Sequence, residues 1–148
     1  MKRRTMNRDF EKCLKNRRIV KQDHAGALMG SELETAREDL EETRETLKRS
    51  RYKWATIQAY YAMFHAARAL VYSKDYREKS HYYLAVALRA LFVDEGKMDA
   101  QSVRDLLNAM NLREAADYDA EFSQSGAKAV IESADKFIQK AIEILGII

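Results

Sequence analysis

The stretch YKWATIQAYYAMFHAARALVYS, residues 52–73, decides the fold. Trp54, Ile57, Tyr61, Phe64 and Arg68 fall on one line at steps of three and four, and Tyr60, Ala67, Leu70 and Val71 widen it. Alanines at 55, 59, 62, 66, 67 and 69 permit close approach of neighbouring helices. A helix apolar on most sides is buried among several partners. The stretch therefore predicts a central helix, from about Tyr52 to Ser73.

Upstream, Ser31 and Glu34 have the spacing of a capping box, in which each side chain satisfies a free backbone N–H. Leu33, Ala36, Leu40, Thr43 and Leu47 continue as one apolar stripe. Glu32, Glu34, Glu38 and Asp39 open this helix and Lys48, Arg49 and Arg51 close it, the order that complements the helix dipole. Downstream, residues 74–79 read as a polar connection, and Ser80 as the cap of a third helix over roughly 81–94 that ends at Gly96. Asp99 is placed to cap a fourth helix carrying Val103, Leu106, Leu107, Met110 and Leu112. Residues 113–126 read as polar and irregular, and a fifth helix is predicted over about 127–145.

The whole is expected to be all-α. It should be an up-and-down bundle of four to five antiparallel helices with an N-terminal helical extension. The chain has 148 residues, one domain's worth, and lacks proline, which suits long helices and not a sandwich of tight turns. One cysteine, Cys13, excludes a disulfide framework and a multi-thiolate metal site. No apolar run approaches the roughly 20 residues that span a bilayer. The start, MKRRTMNRDFEKCLKNRR, lacks the apolar stretch of a signal peptide. A soluble, cytoplasmic protein with no membrane association is expected.

Charge divides the chain. Residues 1–21 hold nine Lys and Arg against Asp9 and Glu11, or +7, so the net +3 leaves −4 for the rest. Residues 1–30 thus read as a basic arm with a hinge at 24–30, and residues 31–148 as the bundle. A basic arm attracts a phosphate backbone, but solvated, frayed termini have the same composition.

The three histidines are dispersed. His24 lies in the hinge and carries no pattern. His65 stands one turn after Tyr61, close enough to bond with it, though a satisfied core or interface histidine is the commoner reading of that position. His81 opens the third helix, where the dipole favours an anion and the residue could help to hold a phosphate, although an ordinary helix-start histidine is the commoner reading of that position. No spacing suits zinc, no glycine-rich loop suits a nucleotide cofactor, and no serine has a nucleophile's motif. No metal and no cofactor are expected.

The segment AYYAMFHAARALVYSKDYREKSHYYLAVALRALF at 59–92, followed by LREAADYD at 112–119, resembles the small stand-alone HEPN domains (higher eukaryotes and prokaryotes nucleotide-binding) over about residues 31–145. That resemblance implies a helical bundle that dimerises and associates with nucleotides or RNA. It further implies either metal-independent endoribonuclease activity or partnership with a minimal nucleotidyltransferase in a toxin–antitoxin module. The nuclease members carry Arg, a polar residue, three variable residues and His. Here Arg113 and Glu114 fit, but Tyr118 stands in the histidine's place. With an ordinary pKa of about 10, tyrosine is a poor base at neutral pH. Asp117 is the substitute base, at the cost of repelling phosphate. Arg77 to His81 is one residue too short for the motif.

Arg113, Asp117 and Tyr118 are accordingly the candidate catalytic residues of a degenerate motif. His81, Arg113, Tyr61 and His65 are the candidate nucleotide or RNA contacts. As a nucleotidyltransferase partner, the chain would offer the Tyr118 hydroxyl for nucleotide attachment. A helical scaffold sharing only the fold is the remaining alternative. Arg113 also precedes Asp117 by four residues, a spacing at which the two pair on a helix.

Overall fold

The computed structural model describes residues 7–147, so Lys2, Arg3 and Arg4 of the basic arm lie outside the described residues. The architecture is all-α apart from one two-stranded ribbon. Six α-helices are described: α1 (Arg8–Lys15), α2 (Met29–Lys48), α3 (Tyr52–Ser73), α4 (His81–Leu88), α5 (Ala100–Tyr118) and α6 (Gln124–Leu145). The ribbon pairs β1 (Ile19–Lys21) with β2 (Tyr76–Glu78), antiparallel, with Ile19 opposite Glu78.

The central helix is α3, with the bounds that the sequence predicts. Its six alanines are fully buried, and Tyr60, Met63, Leu70 and Val71 are buried beside them. Alanine here does what a larger side chain would prevent, bringing α2, α5 and α6 close to α3 on different sides. α2 contributes Leu33, Ala36 and Leu40, and α6 contributes Val130, Ile131, Phe137 and Ile138. The apolar sides of α3 are therefore covered largely by α2, α5 and α6.

α2 begins two residues earlier than Ser31, and the predicted capping box does not form. A 3₁₀ turn over Ala25–Leu28 runs straight into the helix, so the Met29 N–H already donates to the Gly26 carbonyl. The turn satisfies donors that a Ser31 cap would have served. This turn lies in the segment read as a hinge, and it is pinned: the Gly26 N–H donates to Asp75 Oδ1 at 2.9 Å. A Cβ on Gly26 would sit 3.3 Å from that oxygen, so a side chain there would crowd the bond. In α2, Thr43 is buried as expected, and its hydroxyl donates back to the Asp39 carbonyl at 2.6 Å.

The polar connection 74–79 contains β2, which the sequence reading missed. Phe10 of α1 meets Tyr76 edge-on at 5.2 Å, and Phe10, Cys13 and Ile19 are buried. The described part of the basic arm is thus packed on the bundle by one apolar side while its cations face outward.

The third predicted helix is α4 plus a π turn over Arg89–Val93. His81 lies against Tyr60 and Phe64, and Lys74 lies over the Phe92 ring. The start of α4 therefore lies beside the middle of α3, and its extension lies beside the C-terminal end of α3. Ser80 and Asp99 occupy cap positions without side-chain cap bonds.

The largest correction concerns residues 113–126. Helix α5 continues to Tyr118, and α6 starts at Gln124, capped by Ser123 Oγ accepting from the Gly126 N–H at 2.9 Å. The polar composition of 113–118 reflects a helix with one buried line, through Ala116, not an absence of helix. Arg113, Asp117 and Tyr118 consequently share a rigid element.

Candidate functional site

Arg113 reaches from α5 to α3. Its Nη2 donates to the Tyr61 hydroxyl at 2.9 Å and lies 3.2 Å from Asp117 Oδ2. The guanidinium stands over the Tyr61 ring at 5.3 Å and beside the Tyr118 ring at 5.5 Å. Its side chain is only 14% exposed, and Nε is buried without a hydrogen-bond partner among the described residues. The i,i+4 pairing expected from sequence is present, but the longer-range bond to Tyr61 aims the group. Tyr118 is 72% exposed, so its hydroxyl is open to a partner.

His81 enters from the start of α4. Its Nδ1 lies 2.7 Å from the Tyr60 hydroxyl, and its ring lies 4.2 Å from Phe64 and edge-on to Tyr61. Tyr60 is 1% exposed, and burial, with Tyr61 beside it, pushes its phenol well above the ordinary range. A buried phenol that keeps its proton must donate it, and His81 Nδ1 is the acceptor present. This assigns the His81 proton to Nε2 by its network. Burial lowers the His81 pKa, and the positive charges of Arg113 and Arg68 lower it further. The result is a neutral imidazole presenting an N–H donor.

Arg113, Asp117, Tyr118, Tyr61 and His81 thus form one group. His65 belongs to another, beyond Phe64. Its Nδ1 lies 2.6 Å from Glu32 Oε2, with Asp39 at 3.8 Å. Arg68 lies 3.7 Å from Glu32 and 3.5 Å from Glu78, and donates to the Tyr72 hydroxyl. Burial raises Glu32, but the His65 bond and the Arg68 charge outweigh it and leave the carboxyl below its ordinary value. Burial raises Glu78, whose partner Arg68 only partly offsets that. The second group is an ion network joining α2, α3 and β2 in which three carboxylates face one arginine and one histidine, so it offers no net positive charge to an anion. The predicted hydrogen bond from His65 to Tyr61 is replaced by the Glu32 contact.

Tyr60 and Phe64 were not singled out as site residues from sequence, although Tyr60 fixes the His81 tautomer. The adjacent Tyr60–Tyr61 pair divides as neighbours on a helix do, with Tyr60 in the core and Tyr61 half-buried at the groove. Among the described residues no group of three or more His, Cys, Asp or Glu side chains is arranged to hold a metal ion. None of the described helices is long and apolar enough to cross a membrane.

Residues 30–145 match the HEPN domain family. The chain belongs to the HEPN family. Among relatives of this HEPN domain, two proteins of Methanocaldococcus jannaschii carry the name "putative toxin". One is 30% identical over 109 residues, covering 73% of this chain and 81% of its own. The other is 26% identical over 115 residues, covering 76% and 78%. A UPF0332 protein of Thermotoga maritima is 30% identical over 115 residues, covering 74% of this chain and 87% of its own. The family match begins at residue 30, inside the first turn of α2, and spans α3 to α6 with the Arg113 group.

Proposed function

We propose that this HEPN protein is the toxin-like component of a two-protein module and binds RNA or nucleotide phosphate at Arg113, His81 and Tyr61. The observation that carries the reading is the Arg113 guanidinium, held by the Tyr61 hydroxyl beside a neutral His81 donor. Two donors of this kind on rigid elements suit a phosphate oxygen. The names of the Methanocaldococcus relatives support the toxin-like role. A nucleotidyltransferase is the partner we assign to the module, with exposed Tyr118 as the hydroxyl it would modify, and the protein is proposed to act as a homodimer.

Cleavage is the less supported reading. Tyr118 holds the position of the motif histidine, and His81 Nδ1 is engaged by the buried Tyr60 hydroxyl, which argues against either taking a proton from a 2′-hydroxyl. Asp117 is engaged by Arg113.

The test is RNA binding by fluorescence anisotropy over a salt series. Arg113→Ala should weaken binding and lower the slope of log K against log salt by roughly 0.7 for the lost phosphate contact. Unchanged affinity and slope would remove Arg113 from the interface.

A further inference from the structure

Between positions 54 and 72 of α3 every residue is buried except Trp54, Gln58, Tyr61, His65 and Arg68. Their spacing is four, three, four, three, so they form one partly exposed line along an otherwise enclosed helix, with Trp54 its exposed end. The lower end of that line, His65 and Arg68, is outnumbered by the carboxylates of Glu32, Asp39 and Glu78. The upper end is different. The turn between α2 and α3 reads KRSRYK at 48–53, four cations without an acid. Lys48 pairs with Glu45, but Arg49, Arg51 and Lys53 make no ion pair among the described residues. Arg49 and Arg51 are exposed, and Trp54, the sole tryptophan, is 50% exposed with Lys53 over its ring at 5.0 Å.

This end is rigid as well as basic. Ser50 takes a left-handed φ of 58°, and the Ser50 and Arg51 N–H groups donate to the Leu47 and Thr46 carbonyls. The Ala55 N–H donates to the Arg51 carbonyl at 2.9 Å. The cations and the indole are thus presented on fixed backbone, which reduces the ordering cost of binding.

We propose that the α2–α3 turn and Trp54 form a single-stranded RNA platform that feeds the strand to Arg113. The proposal rests on the RNA reading above and extends it to a second contact region. Arg49, Arg51 and Lys53 hold phosphates, and Trp54 stacks a base. Trp54 and Tyr61 are seven residues apart on the same line, about 10 Å along the axis, the reach of a short run of nucleotides. Tyr61 then holds Arg113, so the strand meets the guanidinium at the end of that run. Charge favours a polyanion over a second copy of the chain. A two-fold interface here would bring the same uncompensated cations towards each other.

The full chain is titrated with an unstructured oligouridylate of about twelve nucleotides. End-labelled RNA reports binding by anisotropy, and unlabelled RNA reports location by the Trp54 emission. The emission should change in step with occupancy. Trp54→Ala should weaken binding about tenfold, and Arg49→Gln with Arg51→Gln should lower the salt slope by roughly 1.4. These side chains are exposed, and far-ultraviolet circular dichroism checks that each variant is folded. If RNA binds and Arg113→Ala abolishes it, while the emission and the turn variants are unaffected, the platform is overturned and the Arg113 reading stands. If no RNA binds, both fall. If the emission instead changes with protein concentration alone as the mass doubles, the face is an interface between copies and the platform is overturned.

Discussion

Arg113 and Tyr61 are joined by a 2.9 Å hydrogen bond across 52 residues of sequence, and this bond carries the α5 cation to the partly exposed line of α3. Without it the guanidinium's remaining polar partner would be Asp117 on its own helix.

Tyr61→Phe removes the hydroxyl and leaves the ring beneath the guanidinium. Urea unfolding should show a loss of about 1 kcal/mol, with weaker RNA binding as Arg113 loses its aim. An unchanged midpoint and affinity would show that Asp117 alone positions the group.

Asp117 places a carboxylate where a phosphate must approach. Asp117→Asn keeps the shape and removes the charge, so oligonucleotide affinity should rise by about fivefold, the effect of one unit charge near 4 Å in water. Weaker binding would mean that the carboxylate is needed to hold Arg113 in place.

His81 makes stability depend on pH. Its folded pKa is depressed below 6.5 by burial and by Arg113 and Arg68, so the unfolded chain binds the proton more readily. The contribution is present above pH 6.5 and is lost as pH falls through the folded value. Thermal unfolding should therefore show a drop in Tm on acidification below 6.5 that His81→Gln reduces. A histidine resonance titrating above 6.5, assigned to His81, would contradict this.

The isolated protein should not cleave RNA in the presence of EDTA. Forgoing a matched acid–base group loses a factor of typically 10²–10⁴. Tyr118→His should confer metal-independent cleavage leaving 2′,3′-cyclic phosphate ends, and Arg113→Ala should abolish that gain. Robust cleavage by the unmodified protein, lost with Arg113→Ala, would overturn the binding-only reading.

The fold was legible where periodicity was strong. α3 keeps the predicted bounds because fourteen of its side chains are buried and the pattern records that burial. The ribbon was not legible, since three residues such as Ile19–Lys21 are too few to display alternation. Residues 113–118 misled because one buried position per turn resembles a polar loop. Within the site, the Arg113–Asp117 pair could be read from local spacing. The Tyr60–His81 bond spans 21 residues and depends on α4 returning alongside α3, which no local pattern encodes.

The most direct measurement is the Arg113 Nε–H resonance in a ¹⁵N-labelled sample titrated with oligouridylate. That nitrogen is buried and has no hydrogen-bond partner among the described residues, so its signal reports the guanidinium itself. The account predicts a saturable shift that follows RNA occupancy and moves together with the side-chain signals of His81. An Arg113 resonance that stays fixed while RNA binds would contradict the claim that phosphate is held there.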